Sequence, residues 1–165
     1  MNRRDKTNYY LDIAEAVLER STCIRRKFGA IVVKNDEIIS TGYNGAPRGR
    51  KNCSDLDYCQ REKLGVPRGQ RYELCRSVHA EANAIISASR ADLLGSTLYL
   101  ACHDAQTDEM DGAVEPCSMC KRLILNAGIE RVVIRLSREE FKEIMVDSWV
   151  DSDDSLTKEL PEEGY

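Results

Sequence analysis

Two short stretches of the sequence carry residues that can hold a metal ion together. Residues 79–81 read His-Ala-Glu, and Cys117 and Cys120 stand three positions apart directly after a proline. Cysteines at this spacing share one face of a helix, and a helix N-terminus favours the thiolate, the form that binds metal. Catalytic zinc takes three protein ligands and keeps a fourth position for water. The pattern therefore predicts a zinc site next to Glu81, with the ligands His79, Cys117 and Cys120.

This prediction sets a condition on the backbone. Positions two apart on a regular helix point away from each other, so His79 and Glu81 share a site only if His79 lies at an irregular first turn. Each residue also has a plainer interpretation. A Cys-x-x-Cys pair can be structural or redox-active, a histidine can be a core residue, and a first-turn glutamate can simply complement the helix dipole.

Apolar periodicity and turn residues predict strands that alternate with helices, which is typical of an α/β layer fold. The strands and helices are expected at the following residues: helix 8–20, strands 28–34 and 37–43 as a hairpin, helix 79–90, strand 97–102, helix 116–127 and strand 131–135. Two interpretations fit residues 137–149. Ser137 and Glu140 could cap a helix through Trp149, or residues 144–146 could form an edge strand.

Three segments lack a clear apolar period. Residues 44–76 form a long glycine-rich and cysteine-containing stretch, with a short helix expected near 55–64; such a loop is uncommon unless it is functional. Residues 103–115 form a polar, acidic connection. Residues 147–165 carry seven acids and one lysine and are expected to be a partly disordered tail. The domain prediction is therefore one folded domain over 1–146 and an acidic tail over 147–165.

Composition sets the broad class. With 165 residues, 42% hydrophobic and 32% charged, the chain has the make-up of one globular domain. A net charge of −4 argues against a broad nucleic-acid face, and the sequence has neither an apolar leader nor a membrane-length run. A cytoplasmic protein is expected, and seven cysteines there indicate metal ligands or thiols rather than disulfides.

At its metal-binding residues the sequence resembles the cytidine and deoxycytidylate deaminases. The combination His-x-Glu with Pro-Cys-x-x-Cys is the signature of zinc deaminases. The Asn-Ala-Ile at 83–85 and the Gly-Tyr-Asn-Gly at 42–45 bring it nearest to the deoxycytidylate branch. Nucleoside deaminases usually place cysteine where His79 stands, and transfer-RNA adenosine deaminases usually lack the Gly-Tyr-Asn-Gly turn. The resemblance runs from about residue 8 to 135.

The resemblance implies a three-layer α/β/α fold with a central five-stranded mixed sheet. It implies zinc on His79, Cys117 and Cys120, proton transfer by Glu81, a sugar contact from Asn44 and a pyrimidine contact from the backbone near Ala80. The activity implied is hydrolysis of deoxycytidylate (dCMP) to deoxyuridylate (dUMP) and ammonia, which supplies dUMP for thymidylate synthesis. Homo-oligomers, commonly hexamers, and regulation by dCTP and dTTP are implied as well.

Two short basic clusters suit a single phosphate group better than a polymer. They comprise Arg25, Arg26 and Lys27, and Arg48, Arg50 and Lys51. The plainer interpretation is two solvated loops. Together with the resemblance, the clusters predict recognition of a 5′-phosphate, with Arg26 as the chosen contact.

The remaining cysteines suggest a second, structural zinc. Cys102 ends an apolar strand and is most simply a core residue. A closed four-thiolate site could order the glycine-rich segment, and some deoxycytidylate deaminases carry an extra zinc in this region. The predicted ligands are Cys23, Cys53, Cys59 and Cys75. Free thiols, a disulfide, or three of these cysteines with another side chain are the alternatives.

The sequence departs from the family pattern at residues 103–115, since the Pro-Cys pair usually follows the third strand almost at once. Such an extension is expected near the active-site mouth, where it bears on substrate choice, and His103 is interpreted as a loop residue.

Two competing functions remain open. One is a superfamily deaminase that acts on transfer RNA or on a free base. The negative net charge disfavours transfer RNA as the substrate, and the basic clusters disfavour a free base. The other is a non-catalytic zinc scaffold of the competence type, which would have no chemical need for Glu81.

Overall fold

A computed structural model describes residues 2–156 of the chain. A five-stranded mixed sheet has the strand order β2-β1-β3-β4-β5. The strands are β1 Arg26–Lys34, β2 Glu37–Tyr43, β3 Thr97–Asp104, β4 Arg131–Arg135 and β5 Phe141–Met145. The helices are α1 Lys6–Leu18, α2 Gln60–Lys63, α3 Ala80–Ile86, α4 Arg90–Leu93, α5 Ser118–Ala127 and α6 Ser148–Asp151.

Strands β1 and β2 form the predicted hairpin. Asn35 and Asp36 both have positive φ, the geometry of the tight turns that match strand twist. Strand β1 also pairs antiparallel with β3, and β5 pairs antiparallel with β4. Only β3 and β4 run parallel, so α5 is the crossover between them. The sheet is therefore mixed, as the resemblance implied.

Helices cover both faces of the sheet. On one face α1 buries Leu11, Ala14 and Leu18 against Ile31 and its neighbours. On the other face α3 and α5 bury a second cluster, which includes Ala80, Ala84, Val32, Leu100, Ile124 and Ile134. The fold is thus the three-layer α/β/α arrangement expected from the sequence.

The region after β4 resolves the two interpretations left open. Residues 141–145 form edge strand β5, so the helical interpretation of this stretch was wrong and the strand is longer than 144–146. The Ser137 hydroxyl does accept the Glu140 amide at 3.2 Å, but the bond closes the turn before β5. Short-range capping signals fit such turns as well as helices, and pairing with β4 decided the outcome.

Other boundaries also differ from the prediction. The helix expected over 79–90 ends at Ile86, and a new helix, α4, starts from the Ser89 cap, whose hydroxyl accepts the Asp92 amide. The acidic tail starts with α6, where Trp149 packs against the core, while residues 157–165 lie outside the described range. The division at residue 146 stays a prediction. No helix in the described range is long and apolar enough to cross a membrane.

Gly42 allows α3 to pack directly on β2. A Cβ at this position would lie 2.3 Å from the Ala80 carbonyl oxygen and 2.4 Å from the Ala84 nitrogen. Both are backbone atoms that cannot move alone. The start of α3 is therefore held against the sheet at a distance that only glycine permits.

We expect Gly42→Ala to lower the free energy of unfolding by at least about 2 kcal/mol, within the 1–3 kcal/mol typical of overpacking. The methyl group must push α3 outward, so the zinc content of the purified protein should fall as well. Urea unfolding and elemental analysis measure the two effects.

The matched control is Thr41→Ala on the exposed face of the same strand, which should cost no more than about 1 kcal/mol. Equal stability and equal zinc content in Gly42→Ala and wild type would contradict the close-packing argument.

Candidate active site

The N-termini of α3 and α5 meet at one point, and three potential ligands converge there. His79 is the N-cap of α3 and Cys117 is the N-cap of α5, both with extended backbone. The His79 Nδ1 atom lies 3.5 Å from the Cys117 Sγ and 3.4 Å from the Cys120 Sγ. Because His79 precedes the first regular turn, it shares a site with Glu81, which meets the condition set by the sequence.

The spacing of these atoms fits zinc. The three ligand atoms lie within 4.8 Å of one another. Bonds of about 2.3 Å to sulfur and 2.0–2.1 Å to nitrogen, in tetrahedral geometry, put nitrogen and sulfur about 3.5 Å apart, which matches the two distances found. One nitrogen and two sulfurs also leave a fourth position, as a catalytic zinc site requires.

The two cysteines are set up to bind metal as thiolates. A hydrogen bond from the Cys120 side chain, together with His79, lowers the pKa of Cys117 to about 4, against the opposing effect of burial. The Cys117 side chain in turn raises the pKa of Cys120, so the metal-free pair keeps one proton. Metal binding therefore releases that proton.

Glu81 lies in the first turn of α3 and is 4% exposed. Burial raises the pKa of its carboxyl group. The described part of the chain gives Glu81 no salt bridge, while its carboxyl lies beside Cys120 and faces the same cavity as His79. A buried carboxyl without a fixed cation, next to a metal site, is suited to exchanging protons.

A cavity of about 130 Å³ opens above these groups, and a single water needs only about 10–15 Å³. Of the residues chosen individually for catalysis or substrate binding, all except Cys120 belong to its lining. The predicted members are Arg26, Asn44, His79, Ala80, Glu81 and Cys117. The sequence therefore identified part of the cavity lining.

Asn44 lines the cavity, but its side-chain amide already makes hydrogen bonds to other residues of the protein. Its Oδ1 accepts the Phe28 amide at 2.8 Å and the Ser21 hydroxyl at 2.6 Å, and its Nδ2 donates to the Arg26 carbonyl at 2.9 Å. The second Nδ2 hydrogen has no partner among the described residues. Asn44 thus fixes the start of β1 beside the cavity.

The two basic clusters separate in the structure. Arg25 and Arg26 line the cavity, whereas Arg48, Arg50 and Lys51 are exposed and do not belong to its lining. Arg26 forms a 3.0 Å ion pair with Asp111. The two basic clusters therefore do not meet at one cavity.

Sequence reasoning missed the part of the cavity lining that the glycine-rich segment contributes, which includes Arg61, Arg68 and Tyr72. The Tyr72 ring meets the His79 ring edge-on, with centroids 5.4 Å apart. The Arg61 guanidinium stacks over the Tyr72 ring at 4.4 Å from its centroid. No periodic pattern marks these residues, because two short helical turns and loops carry them.

The extension over 103–115 reaches the cavity with its last residues. Ala113, Val114 and Glu115 line it, and Glu115 pairs with Lys142. His103 itself lies in β3 rather than in a loop, so that interpretation was wrong; β3 continues past Cys102 because Lys27 and Arg26 extend the pairing with β1.

A second group of ligand atoms, from Glu19, His103 and Asp108, also lies within 4.8 Å. The Lys27 ammonium lies 2.5 Å from the Asp108 carboxylate and 3.5 Å from Glu19. This lysine already supplies the positive charge that a cation would bring, so the group is an ion-pair network.

The four cysteines predicted for a second zinc are less closely grouped. Within the described residues, the two sets of three or more close ligand atoms do not include them. Cys23, Cys59 and Cys75 line one side of the cavity, while Cys53 is buried. Burial raises the pKa of the Cys23 thiol, and the nearby Cys75 and Cys53 raise it further, so these three are neighbours.

Comparisons with known proteins agree with this geometry. Residues 4–136 match the model of the cytidine and deoxycytidylate deaminase zinc-binding region. A deoxycytidylate deaminase of Mycobacterium phage D29 is 44% identical over 138 residues, which cover 81% of this chain and 96% of the phage protein. A deoxycytidylate deaminase of Schizosaccharomyces pombe is 32% identical over 79% of this chain, which spans only 37% of the yeast protein.

Among solved structures, a dCMP deaminase of cyanophage S-TIM5 in complex with dCMP and dUMP is similar, with a TM-score of 0.55 and 28% identity. The alignment covers 82% of this chain and 84% of the cyanophage chain. The family match extends over most of the chain, and the matched range includes His79, Cys117 and Cys120, which the structure brings together. The chain therefore belongs to the cytidine and deoxycytidylate deaminase family.

Proposed function

We propose that this chain is a zinc-dependent deaminase that hydrolyses dCMP to dUMP and ammonia. The observation that carries the proposal is the buried Glu81 beside the His79, Cys117 and Cys120 group, at a cavity lined with arginines. Similarity to a phage deoxycytidylate deaminase over nearly its whole length supports dCMP as the substrate. The product dUMP would supply thymidylate synthesis.

The residues divide the chemistry between them. His79, Cys117 and Cys120 would hold a zinc ion, which would lower the pKa of a bound water to about 7. Glu81 accepts a proton from the attacking water and delivers it to N3 of the cytosine ring. The oxygen adds at C4, and Glu81 then passes the second water proton to the departing amino group. Ammonia leaves, and the ring retains the oxygen as a carbonyl.

Glu81 can perform both transfers because it is not a metal ligand. Its first-turn position keeps it within the cavity beside the ligands, and burial excludes competing water. The backbone at Ala80, which also lines the cavity, is available for contacts to the pyrimidine, and the free Nδ2 hydrogen of Asn44 for the sugar. Arg26 stands near enough to contribute to phosphate binding, although Asp111 neutralises part of its charge.

The competing functions receive less support. A scaffold would not need a buried, unpaired glutamate at the zinc group. A free-base deaminase would not need a cavity wall of arginines. Transfer RNA binding needs basic residues that contact many phosphates, and the negative net charge of the chain opposes this.

Three further expectations belong to this proposal. The enzyme acts as a homo-oligomer, such as a hexamer, and responds to dCTP and dTTP, as the resemblance implies. It works in the cytoplasm, where cysteine thiols stay reduced and can bind metal. The division into a catalytic domain over 1–146 and an acidic tail over 147–165 is kept as part of the proposal, with Trp149 packing back onto the core.

A second, structural zinc on Cys23, Cys53, Cys59 and Cys75 is also part of the proposal. The neighbouring thiols of Cys23, Cys53 and Cys75 support it. The Arg25 amide also donates to the Cys23 sulfur at 3.4 Å, a bond that orients a thiolate for a metal. Such an ion would draw the four sulfurs closer together and fasten the 44–76 segment to the start of β1.

The substrate proposal is tested by ammonia release from dCMP, deoxycytidine, cytidine and cytosine. We expect dCMP to have the highest kcat/KM, because the cavity arginines can bind the phosphate. Equal efficiencies for deoxycytidine and dCMP would refute phosphate recognition and favour a nucleoside deaminase.

Glu81→Gln should keep its zinc and lose about 10²–10⁴-fold in kcat, the usual value of general acid–base catalysis. The amide preserves the shape of the side chain but cannot take up a proton and deliver it again. The matched control, Glu130→Gln at an exposed position, should retain wild-type kcat. A near-normal rate in Glu81→Gln would exclude the proposed proton carrier.

Elemental analysis tests the second zinc. We expect two zinc ions per chain in the wild type and one in Cys53→Ser, because a serine hydroxyl is a poor replacement for a thiolate ligand. Cys120→Ala should lose the catalytic ion instead, and Cys102→Ser, in the core, should keep both. A single ion per chain in fully active wild-type protein would rule out the structural site.

A further inference from the structure

Four arginines of the described chain line the active-site cavity, and they differ in what neutralises them. Arg25 forms a 2.7 Å ion pair with Glu62, and Arg26 forms a 3.0 Å ion pair with Asp111. No carboxylate within the described range lies within ion-pair distance of Arg61 or Arg68. The cavity therefore keeps positive charge on the wall built by the glycine-rich segment.

Arg61 is the more firmly held of the two unpaired arginines. Its Nη2 atom donates to the Pro67 carbonyl at 3.0 Å and also to the Gln70 carbonyl. Its guanidinium stacks on the Tyr72 ring at 4.4 Å. Arg68, by contrast, is exposed and makes no such contacts with the residues that the structure describes. A fixed guanidinium loses little conformational entropy when it binds an anion.

One donor of Arg61 has no partner. Its Nε atom is buried and makes no hydrogen bond within the described part of the chain. Buried donors are almost always paired, and an exception calls for an acceptor that a ligand can bring. A phosphate offers several acceptor oxygens for the Nε hydrogen and the Nη1 hydrogens, because both Nη2 hydrogens are already used by the Pro67 and Gln70 carbonyls.

The position of Arg61 relative to the metal ligands also fits a nucleotide. The Tyr72 ring contacts both the Arg61 guanidinium and the His79 imidazole, with its centroid 4.4 Å and 5.4 Å from them. The reacting carbon and the phosphate of a nucleoside monophosphate are separated by the sugar and part of the ring. A guanidinium one aromatic ring away from a zinc ligand is placed to meet that phosphate.

We propose that Arg61 is the residue that determines specificity for the 5′-phosphate. The inference rests on the proposed dCMP deamination and adds the residue that distinguishes nucleotide from nucleoside. Arg26, which the sequence favoured, contributes less because Asp111 already holds its guanidinium. Tyr72 positions Arg61 through the contact of its ring with the guanidinium.

The experiment compares dCMP with deoxycytidine in Arg61→Gln. Truncating one partner of a buried charged pair costs a few kcal/mol, so kcat/KM for dCMP should fall about a hundredfold or more. The value for deoxycytidine should stay within about threefold, so the preference for dCMP collapses. Lys63→Gln is the matched control, since Lys63 lies on the same helical turn, stacks on Tyr58 and is exposed outside the cavity.

Each outcome decides a different point. A wild type without preference for dCMP would defeat the proposed function itself. A wild type that prefers dCMP, with the same preference in Arg61→Gln, would overturn the assignment of Arg61 alone. An equal loss on both substrates would also overturn it, since that is the effect of a disturbed zinc site.

Thermal melting and zinc content establish whether Arg61→Gln is folded. If it is not, Arg61→Lys decides, because lysine keeps the charge but lacks the planar fork. We expect this variant to lose about tenfold of the dCMP preference, with deoxycytidine unaffected. An unchanged preference there would refute the proposal.

Discussion

The meeting of two helix N-termini is the constraint on which the rest of the structure depends. Three ligand atoms from α3 and α5 have to lie within 4.8 Å, although the two helices are separated by strand β3 in sequence. On the α3 side, glycine at position 42 and the Ser40 hydroxyl, which donates to the Ala84 carbonyl at 2.7 Å, hold the helix on β2. On the α5 side, the parallel crossover from β3 to β4 fixes the helix start.

The Gly-Tyr-Asn-Gly turn after β2 joins this constraint to the substrate side of the cavity. Gly45 pairs with Val78 through two backbone hydrogen bonds of 3.2 Å and 2.8 Å, directly before His79. Asn44 uses most of its amide on the backbone of β1 and on Ser21. The turn therefore fixes both the backbone that leads into α3 and the start of β1. Residues that the sequence suggests only for substrate binding thus also have a structural role.

Sequence reasoning succeeded where chemistry is local and failed where partners are distant. The zinc ligands could be found because few residue types bind zinc and their spacing matches helix starts. The ion pair between Arg26 and Asp111 could not be found from the sequence. These residues are far apart in the chain and neutralise each other only once β1 and the 103–115 segment are folded. For the same reason the sequence left residues 137–149 open between a helix and an edge strand at 144–146, because the pairing of β5 with β4 is a contact that no local pattern records.

The glycine-rich segment raises the question of how loops can hold a specificity residue rigidly. Residues 44–76 contribute little apolar surface, yet they have to keep both the Arg61–Tyr72 stack and the edge contact of Tyr72 with His79. Cys59 immediately precedes α2, which carries Arg61, and Cys75 immediately follows the turn that carries Tyr72. A metal ion on these cysteines would fasten both ends of that stretch. Structural metal binding and phosphate recognition would then depend on each other, because the first orders the segment that performs the second.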